Sequence, residues 1–407
     1  LVPDTITGKN TNVLGFWYTN SDTIPAIIQN RFGRGTSYLF PGSDFLHPAG
    51  EGGVWSADKI SIFYTFVLRD FHQKNNIPVS LNPWPDGHGY AFCMTFNTEG
   101  TLSQYQQLTN YLENRNIEPV FFVSGRVPDD IRTFINDGGF NTGSTGFRYQ
   151  NYRNTMFPDA VDDIIANEVS WEKKFKGFRF PYTQAGYWGL LALEENNYEY
   201  VSSIGVNNIE FFHGAAFPYN LVIAKNQYYK TTDLLEVGPI YHDDYFFLNE
   251  SCNEDEDNPQ LGKDIDLYNK YLSNFWERAI KPYNGLMVYL GHPAYVGFND
   301  QTIAILDSLI LRVSNDDTWM TNICDVVSFR KNLASMRFYV KTDDKKIVVT
   351  ISAPQEIKLN GVTLNINNTV DFKKVSAASG KAVIKNEKLY QQVVFDAFDG
   401  QEIIISR

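Results

Sequence analysis

The sequence predicts an α/β protein: a (β/α) barrel with an N-terminal α/β segment and a small C-terminal all-β domain. Between residues 90 and 334, apolar strand-like runs alternate with helix-like runs, a pattern typical of βα units around a parallel sheet. From residue 335 the chain changes to short β-branched runs separated by Asn-Gly and Asp-Gly turns. A chain of 407 residues is too long for one ordinary domain. We therefore expect three units, 1–89, 90–334 and 335–407.

The N-terminal unit contains a strand at 11–18, a hairpin of 25–29 with 37–40, and a helix at 56–74 with apolar residues at helical spacing. Residues 25–45 resemble the closing hairpin of class I glutamine-amidotransferase-like domains. The Cys/His pair of an amidotransferase is absent from this segment. We therefore interpret 1–89 as a structural remnant of such a domain.

The barrel unit is predicted from successive strand and helix patterns, each of ordinary length for a βα repeat. The strands are expected at 90–97, 118–123, 140–145, 177–181, 198–204 and 285–291. The helices are expected at 102–115, 128–136, 159–174, 187–196, 264–281, 299–314 and 321–333.

The C-terminal unit is predicted to be a β-sandwich-like accessory domain of short alternating strands. Its role is open between a structural cap on the barrel and a carbohydrate-binding module. The expected strands are 336–341, 346–352, 356–359, 362–365, 382–385, 390–397 and 402–406.

Composition excludes several classes of partner. The net charge of -12 disfavours nucleic acid and anionic membrane surfaces, because a phosphate backbone needs a basic footprint. No apolar run approaches the roughly 18 residues of a membrane-spanning helix, so we expect no transmembrane segment. The three cysteines have no metal-binding spacing. The chain begins Leu-Val-Pro-Asp without Met, from which we expect a mature or trimmed form. We also expect the protein to be extracytoplasmic.

Four segments of the barrel unit stand out: TFNTEG at 95–100, GFNTGSTG at 139–146 followed by Tyr149, GFRFPY at 177–182, and LMVYLGHP at 286–293. In this order they resemble four motifs of the polysaccharide deacetylases, the NodB-homology superfamily. The first resembles Thr-Phe-Asp-Asp at the end of an apolar strand, and the second resembles Gly-His-Glu-Ile-Gly-Asn-His with its trailing histidine. The third resembles Arg-x-Pro-Tyr, and the last resembles an apolar strand that ends in a histidine.

The resemblance implies a metal-dependent site that this sequence has lost. A deacetylase of this kind needs a metal that polarises the acetyl group, a carboxylate base, an acid histidine and an orienting arginine. The base position is Asn97, and an amide cannot usefully accept a proton. The metal-ligand positions hold Thr98, Thr145 and Tyr149, which are poor ligands. We therefore expect no metal and no other cofactor.

Arg179 and His292 remain at the positions of the orienting arginine and the acid. One interpretation is that they are catalytic relics at the barrel mouth, together with Asn97. The other is structural, with the histidine capped by backbone carbonyls and the arginine paired with a core carboxylate. Glu99 is a candidate replacement ligand, but an offset of one residue along a strand would turn its side chain to the other face.

The remaining candidates are loop residues near the same mouth. Aromatic side chains of the motif loops could stack on sugar rings or could instead fill and close the cleft. The sequence 242–244, His-Asp-Asp, could reach the mouth and supply replacement ligands, or could simply reflect loop composition. The predicted substrate-binding residues are Glu99, Tyr149, Tyr182, Trp188 and Tyr295.

The predicted function is that of a carbohydrate-associated, polysaccharide deacetylase-like protein. We expect a pseudoenzyme that binds a glycan or acetylated oligosaccharide without metal-dependent deacetylation. The alternative is an active hydrolase, a carbohydrate deacetylase with a rearranged catalytic site. A serine hydrolase is disfavoured because the chain has no Gly-x-Ser-x-Gly elbow.

Overall fold

The computed structural model describes most of the chain from residue 79 onward and three strands before it. The described ranges are 11–18, 23–32, 35–39, 79–203, 217–225, 228–240, 242–249, 264–297, 299–314, 316–342, 345–367, 372–386 and 390–407. Strands β1 (Thr11–Tyr18), β2 (Thr23–Phe32) and β3 (Gly35–Leu39) form an antiparallel sheet in that order. The predicted N-terminal hairpin is thereby confirmed, and the predicted helix at 56–74 lies outside the described residues.

The other strands and helices follow in chain order. The strands are β4 (Val79–Leu81), β5 (Tyr90–Asn97), β6 (Val120–Val123), β7 (Asn141–Ser144), β8 (Gly177–Phe178), β9 (Tyr200–Val201), β10 (Tyr219–Lys225), β11 (Tyr228–Glu236), β12 (Leu286–Gly291), β13 (Thr318–Thr321), β14 (Arg337–Thr342), β15 (Lys346–Ser352), β16 (Leu359–Asn367), β17 (Lys374–Ala377), β18 (Ala382–Asn386), β19 (Tyr390–Ala397) and β20 (Glu402–Ser406). The helices are α1 (Leu102–Glu113), α2 (Asp129–Asp137), α3 (Phe157–Ser170), α4 (Tyr187–Glu195), α5 (Asp244–Leu248), α6 (Ile265–Phe275), α7 (Pro293–Val296), α8 (Asp300–Ser314) and α9 (Ile323–Ser335).

A strongly curled sheet forms the centre of the molecule, as the βα pattern predicts. Its parallel strands pair in the order β9-β8-β7-β6-β5-β12. The N–H of Val237 donates to Val201 O at 2.8 Å, and the N–H of Ile240 donates to Val288 O at 2.9 Å. The segment 237–240 therefore bridges β9 to β12, and the curled sheet closes on itself.

Helices cover the outside of this sheet, which explains the apolar strands. All residues of β5 after Tyr90 are buried, as expected for a strand covered on both faces. Helix α1 begins in a capping box, in which the side chains of Thr101 and Gln104 each accept a hydrogen bond from the other's backbone N–H. Among the described residues, no helix is both long and apolar enough to cross a membrane.

Several predicted barrel elements differ from the observed ones. Strands β8 and β9 have two residues each. After β8 the chain turns at Pro181, which has no N–H for a sheet ladder. The predicted helix 264–281 ends as α6 at Phe275 and continues as a π turn over Trp276–Ile280. The antiparallel pair β10–β11, the strand β13 and the short helix α5 were not predicted, since their sequences lack a clear period.

The C-terminal region is a β-sandwich with a strand from outside the predicted unit. Two four-stranded sheets, β14-β15-β20-β17 and β18-β19-β16-β4, share one hydrophobic core. Leu81 of β4 pairs with Leu364 of β16, so the segment before the barrel contributes to this domain. The predicted strand at 356–359 is wrong, because a turn follows Pro354 and β16 begins at Leu359; β17 was not predicted.

Candidate functional site

Three motif residues meet at one end of the curled sheet. Asn97 is the last residue of β5, and Arg179 and His292 directly follow β8 and β12. Arg179 Nη1 donates to Asn97 Oδ1 at 3.4 Å, and Asn97 Nδ2 lies 3.2 Å from His292 Nε2. The carboxyl ends of parallel strands share one edge, which is where barrel proteins build their sites. The predicted convergence of these three residues is confirmed.

Arg179 is fully buried beneath the site and is held by neutral groups. Its Nη2 donates to Thr95 Oγ1 at 2.7 Å and to Ser202 Oγ at 2.9 Å, and its Nε donates to Ser202 O at 2.9 Å. The guanidinium carbon lies 4.0 Å from the centre of the Phe122 ring, in a cation–π contact. Burial lowers the pKa of Arg179 to about 9, so the group keeps its charge at neutral pH.

His292 is paired with a buried carboxylate. Its Nδ1 lies 2.6 Å from Asp244 Oδ1, and its backbone N–H donates to Asp244 Oδ2 at 2.7 Å. Burial lowers the pKa of His292, but the interaction with Asp244 outweighs it and raises the pKa to about 9. The pair with Asp244 therefore favours the protonated ring at neutral pH, and the expected cap of backbone carbonyls is replaced by the first residue of α5.

Glu99 points toward the site although it is offset by one residue from Thr98, the position of the expected ligand. Its Oε2 lies 3.7 Å from His292 Nε2, and the Tyr149 hydroxyl is hydrogen-bonded to its carboxylate. Burial and this carboxylate raise the pKa of Tyr149 well above its ordinary value, so the phenol stays protonated. The expectation that the offset would turn Glu99 away is wrong, because β5 ends at Asn97 and strand alternation stops there.

An open pocket of about 450 Å³ lies above these residues. Aromatic rings form much of its wall without filling it, so the alternative of a cleft closed by aromatic side chains is wrong. The lining residues are Asn97, Glu99, Tyr149, Phe180, Tyr182, Thr183, His242, Asp243, Tyr245, Phe246, Leu290 and His292.

The predicted aromatic contacts fall into two groups. Tyr149 and Tyr182 line the pocket edge to face, with ring centres 5.7 Å apart. Tyr295 lies behind the wall, where its ring packs against His292 at 5.7 Å. Trp188 is not among the lining residues, because α4 turns its ring against Phe157 at 6.1 Å. Its predicted role in substrate binding therefore has no support in the structure.

The backbone around the pocket is strained. Tyr149, Tyr182 and Thr183 all have positive φ angles, of 53°, 58° and 54°. Such conformations cost non-glycine residues of the order of 1–3 kcal/mol each and are found most often at functional sites. The surrounding structure thus holds two pocket loops in fixed, unfavourable conformations.

The sequence His242-Asp243-Asp244 does reach the mouth, as one of its two interpretations predicted. His242 and Asp243 line the pocket, and the Asp243 carboxylate accepts the N–H of Phe246 at 3.3 Å, which caps α5. Burial, together with Asp244 and Glu99, raises the pKa of Asp243 to about 6, against the opposing effect of His292. At pH 7 this group is mostly a carboxylate.

The residues at the family's metal-ligand positions do not fit a metal. Thr98, Thr145 and Tyr149 offer only neutral hydroxyl groups, whereas zinc and related ions take thiolate, imidazole or carboxylate ligands. The Thr145 hydroxyl oxygen is buried and has no hydrogen-bond partner among the described residues. Nothing at these three positions would replace the charge and donor strength of Asp and His.

A second group of possible ligands is already engaged in hydrogen bonds. Donor atoms of Asp243, Asp244 and His292 lie within 4.8 Å of one another. However, both oxygens of Asp244 are hydrogen-bonded to His292: Oδ2 accepts from its backbone N–H, and Oδ1 pairs with Nδ1 of its ring. We therefore interpret this group as a buried ion pair with a neighbouring carboxylate.

Several residues of the site were not singled out from the sequence. Thr95 and Ser202 hold Arg179, and Ser203 Oγ accepts the N–H of Phe180 at 2.7 Å. The Ser-Ser pair directly after an apolar strand was a usable signal, because polar residues at strand ends of a barrel face its mouth. Tyr245 and Phe246 had no comparable signal, since α5 was not predicted.

Three solved structures illustrate what this chain is similar to. Agd3, a carbohydrate deacetylase, matches over 99% of this chain and 76% of its own, with a TM-score of 0.53 and 11% identity. A candidate polysaccharide deacetylase from Mycobacterium smegmatis matches over 63% of this chain and 94% of its own, with a TM-score of 0.48 and 21% identity. A mutant of BA3943, a CE4-family pseudoenzyme with restored enzymatic activity, matches over 61% of this chain and 72% of its own, with a TM-score of 0.38 and 13% identity.

The first of these matches carries the conclusion about architecture. It extends over nearly the whole chain, and it shows that the chain shares the fold of this carbohydrate deacetylase, as the predicted fold class requires. At this level of identity the similarity concerns the fold alone. No family model matches the sequence, and no curated protein matches it.

Proposed function

We propose that this chain, which has the fold of the polysaccharide deacetylases, binds a carbohydrate at the barrel mouth and does not carry out metal-dependent deacetylation. The observation that carries the proposal is an open pocket of about 450 Å³ whose expected metal ligands are neutral hydroxyl groups. Small-molecule pockets of proteins commonly measure about 300–1,000 Å³. The pocket is therefore large enough to bind a small ligand.

The aromatic wall supports a sugar as the ligand. The Tyr182 side chain is 63% exposed, and Tyr149 packs against its ring from the side. An amphipathic ring of this kind offers an apolar face for stacking and a hydroxyl for hydrogen bonding. The positive φ angles of both tyrosines support the view that the rings are held in place before a ligand arrives.

A hydrolase with a rearranged site is the second candidate. It is favoured by Glu99 and Asp243, two carboxylates that line the same pocket as His292. A carboxylate whose pKa is about 6, as for Asp243, is poised for general acid–base chemistry near neutral pH. The glycan, any remaining activity and the extracytoplasmic location stay predictions.

Calorimetric titration of the full chain with acetylated and deacetylated chito-oligosaccharides tests binding. We expect Tyr182→Ala to weaken binding by about tenfold or more, as for an exposed aromatic anchor, and Tyr182→Phe to retain most of it. Tyr339→Ala is the matched control, because Tyr339 is an exposed tyrosine of the C-terminal sandwich.

The opposite pattern would contradict the proposed site. Binding that survives Tyr182→Ala but is lost in Tyr339→Ala would move the sugar site to the C-terminal domain. Release of acetate from an acetylated oligosaccharide that a chelator abolishes would overturn the pseudoenzyme proposal and favour the rearranged hydrolase.

A further inference from the structure

Two carboxylates face the same pocket as the aromatic rings. The side chain of Glu99 is 44% exposed and follows the end of β5, and Asp243 lies across the pocket at the start of α5. The two groups come from elements 144 positions apart in the chain, so the tertiary fold brings them together. A ligand bound in this pocket would therefore lie close to two negatively charged groups.

One cationic side chain, His292, lies among three carboxylates in this region. It forms its close pair with Asp244, at 2.6 Å, lies 3.7 Å from Glu99, and has a ring nitrogen within 4.8 Å of an Asp243 oxygen. Arg179 is buried beneath the pocket and is separated from it by Asn97, a neutral amide. The carboxylates therefore outnumber the cations that reach the pocket.

The balance of charge around the pocket favours a positive group on the ligand. Glu99 and Asp243 both line the pocket, and the cation beside them, His292, is in closest contact with a third carboxylate, Asp244. A second positive group between Glu99 and Asp243 would offset the remaining negative charge. The rings of Tyr149, Tyr182 and Phe246 also favour a cation, because aromatic faces carry partial negative charge.

We propose that the pocket recognises the protonated amine of a deacetylated amino sugar in preference to the N-acetylated sugar. The amine would be bound by the carboxylates of Glu99 and Asp243, with the sugar ring against Tyr182. An acetamide in the same place is neutral and would leave both carboxylates desolvated without a compensating charge. This inference rests on the proposed carbohydrate-binding function and names the chemical class of its ligand.

The test compares three hexameric ligands by calorimetry with the full chain at pH 6.5. They are the hexamer of glucosamine, the hexamer of N-acetylglucosamine, and cellohexaose, in which a hydroxyl replaces the nitrogen. We expect the amine ligand to bind more tightly than the other two by about tenfold to a hundredfold, the contribution of a hydrogen bond to a charged group.

Two conservative variants assign the preference to this pocket. Glu99→Gln keeps an oxygen for the Tyr149 hydroxyl, and Asp243→Asn keeps an N-cap for α5. Each is expected to reduce about tenfold the preference for the amine, measured as the ratio of the Kd values of the same variant for cellohexaose and for the glucosamine hexamer. Glu356→Gln is the control, because Glu356 is an exposed carboxylate in the C-terminal region.

The possible outcomes separate this inference from the proposed function. Equal affinity for all three ligands would leave carbohydrate binding standing and overturn amine recognition. No binding of any ligand would overturn the proposed function itself. Binding of hexalysine as tight as that of the glucosamine hexamer, or a preference unchanged in both variants, would show attraction to the net negative charge alone and overturn the inference.

Discussion

At the scale of single residues, the ion pair between His292 and Asp244 controls the charge of the site. Asp244 is fully buried and accepts from both the ring and the backbone of His292. A buried pair of this kind is a weak source of net stability, but removal of one partner leaves an uncompensated charge. The imidazolium therefore depends on Asp244.

We predict that Asp244→Asn lowers the free energy of unfolding by about 3 kcal/mol at pH 7. The pKa of His292 is about 9 in the folded protein and about 6.5 when unfolded, so its contribution is complete below about pH 6.5. It is lost as the pH rises through about 9, and the variant should lack this loss. Urea unfolding between pH 6 and 9.5, with NMR titration of the histidines, measures both effects.

The matched control is Asp307→Asn, which removes an exposed pair with Arg115. Exposed pairs contribute about 1 kcal/mol or less, so this change should be much smaller. An equal loss of unfolding free energy in the two variants, or an unchanged His292 titration in Asp244→Asn, would contradict the buried ion pair between His292 and Asp244.

At the scale of elements, the loop after β7 is fixed by a carboxylate of α3. Asp163 accepts the N–H groups of Phe147 at 3.1 Å and Arg148 at 3.0 Å, and the Tyr152 hydroxyl at 2.6 Å. This loop carries Tyr149 into the pocket. Gly146, in the same loop, has a φ of +81° and lies so close to Tyr152 that an added Cβ would be 2.2 Å from the Tyr152 hydroxyl oxygen.

We predict that Gly146→Ala destabilises the protein by about 3 kcal/mol and weakens ligand binding, because it combines strain with a clash against Tyr152 and Asp163. Thermal unfolding and calorimetry measure the two effects. Gly139→Ala separates strain from clash, because Gly139 has a φ of +65° and open space around it. Gly139→Ala should destabilise the protein by only about 1 kcal/mol and leave ligand binding unchanged. Destabilisation equal to that of Gly146→Ala would refute the packing argument.

At the scale of the whole molecule, the barrel and the C-terminal sandwich share residues. Phe329 and Leu333 of the barrel's last helix and Val79 of β4 lie in the core of the sandwich. Gln392 of β19 also donates to Gly87 O, in the segment that leads into the barrel. The two units are therefore joined by packing and hydrogen bonds as well as by the chain.

We predict that Leu364→Ala, in the strand beside β4, lowers the free energy of unfolding by about 3 kcal/mol and shifts the barrel and sandwich signals together. Differential scanning calorimetry follows both units, and tryptophan fluorescence follows the barrel region, which contains buried Trp84 and Trp276, as well as Trp319, which packs against the sandwich core. Tyr339→Ala on the exposed edge should change little. Two separate transitions, with only one shifted by Leu364→Ala, would show that the units unfold independently.

Sequence alone determined the architecture and the central part of the site. Runs of buried residues such as β5 carry a strong apolar signal, because both faces of a parallel sheet are covered. Asn97, Arg179 and His292 each follow such a run, and parallel strands place their carboxyl ends together. Their convergence therefore followed from the strand pattern. The hydroxyl groups at positions 98, 145 and 149 were recognised as replaced metal ligands only through the resemblance to the polysaccharide deacetylases.

Only the tertiary structure decided which groups complete the site. Asp244 lies 48 positions before His292 and on a helix too short to show a period, so their pairing could not be predicted. The direction of Glu99 depends on where β5 ends, and the rejection of Trp188 depends on how α4 packs. Strand patterns constrain local geometry, whereas contacts between loops depend on the path of the whole chain, and this is why the charges of the pocket emerged only from the fold.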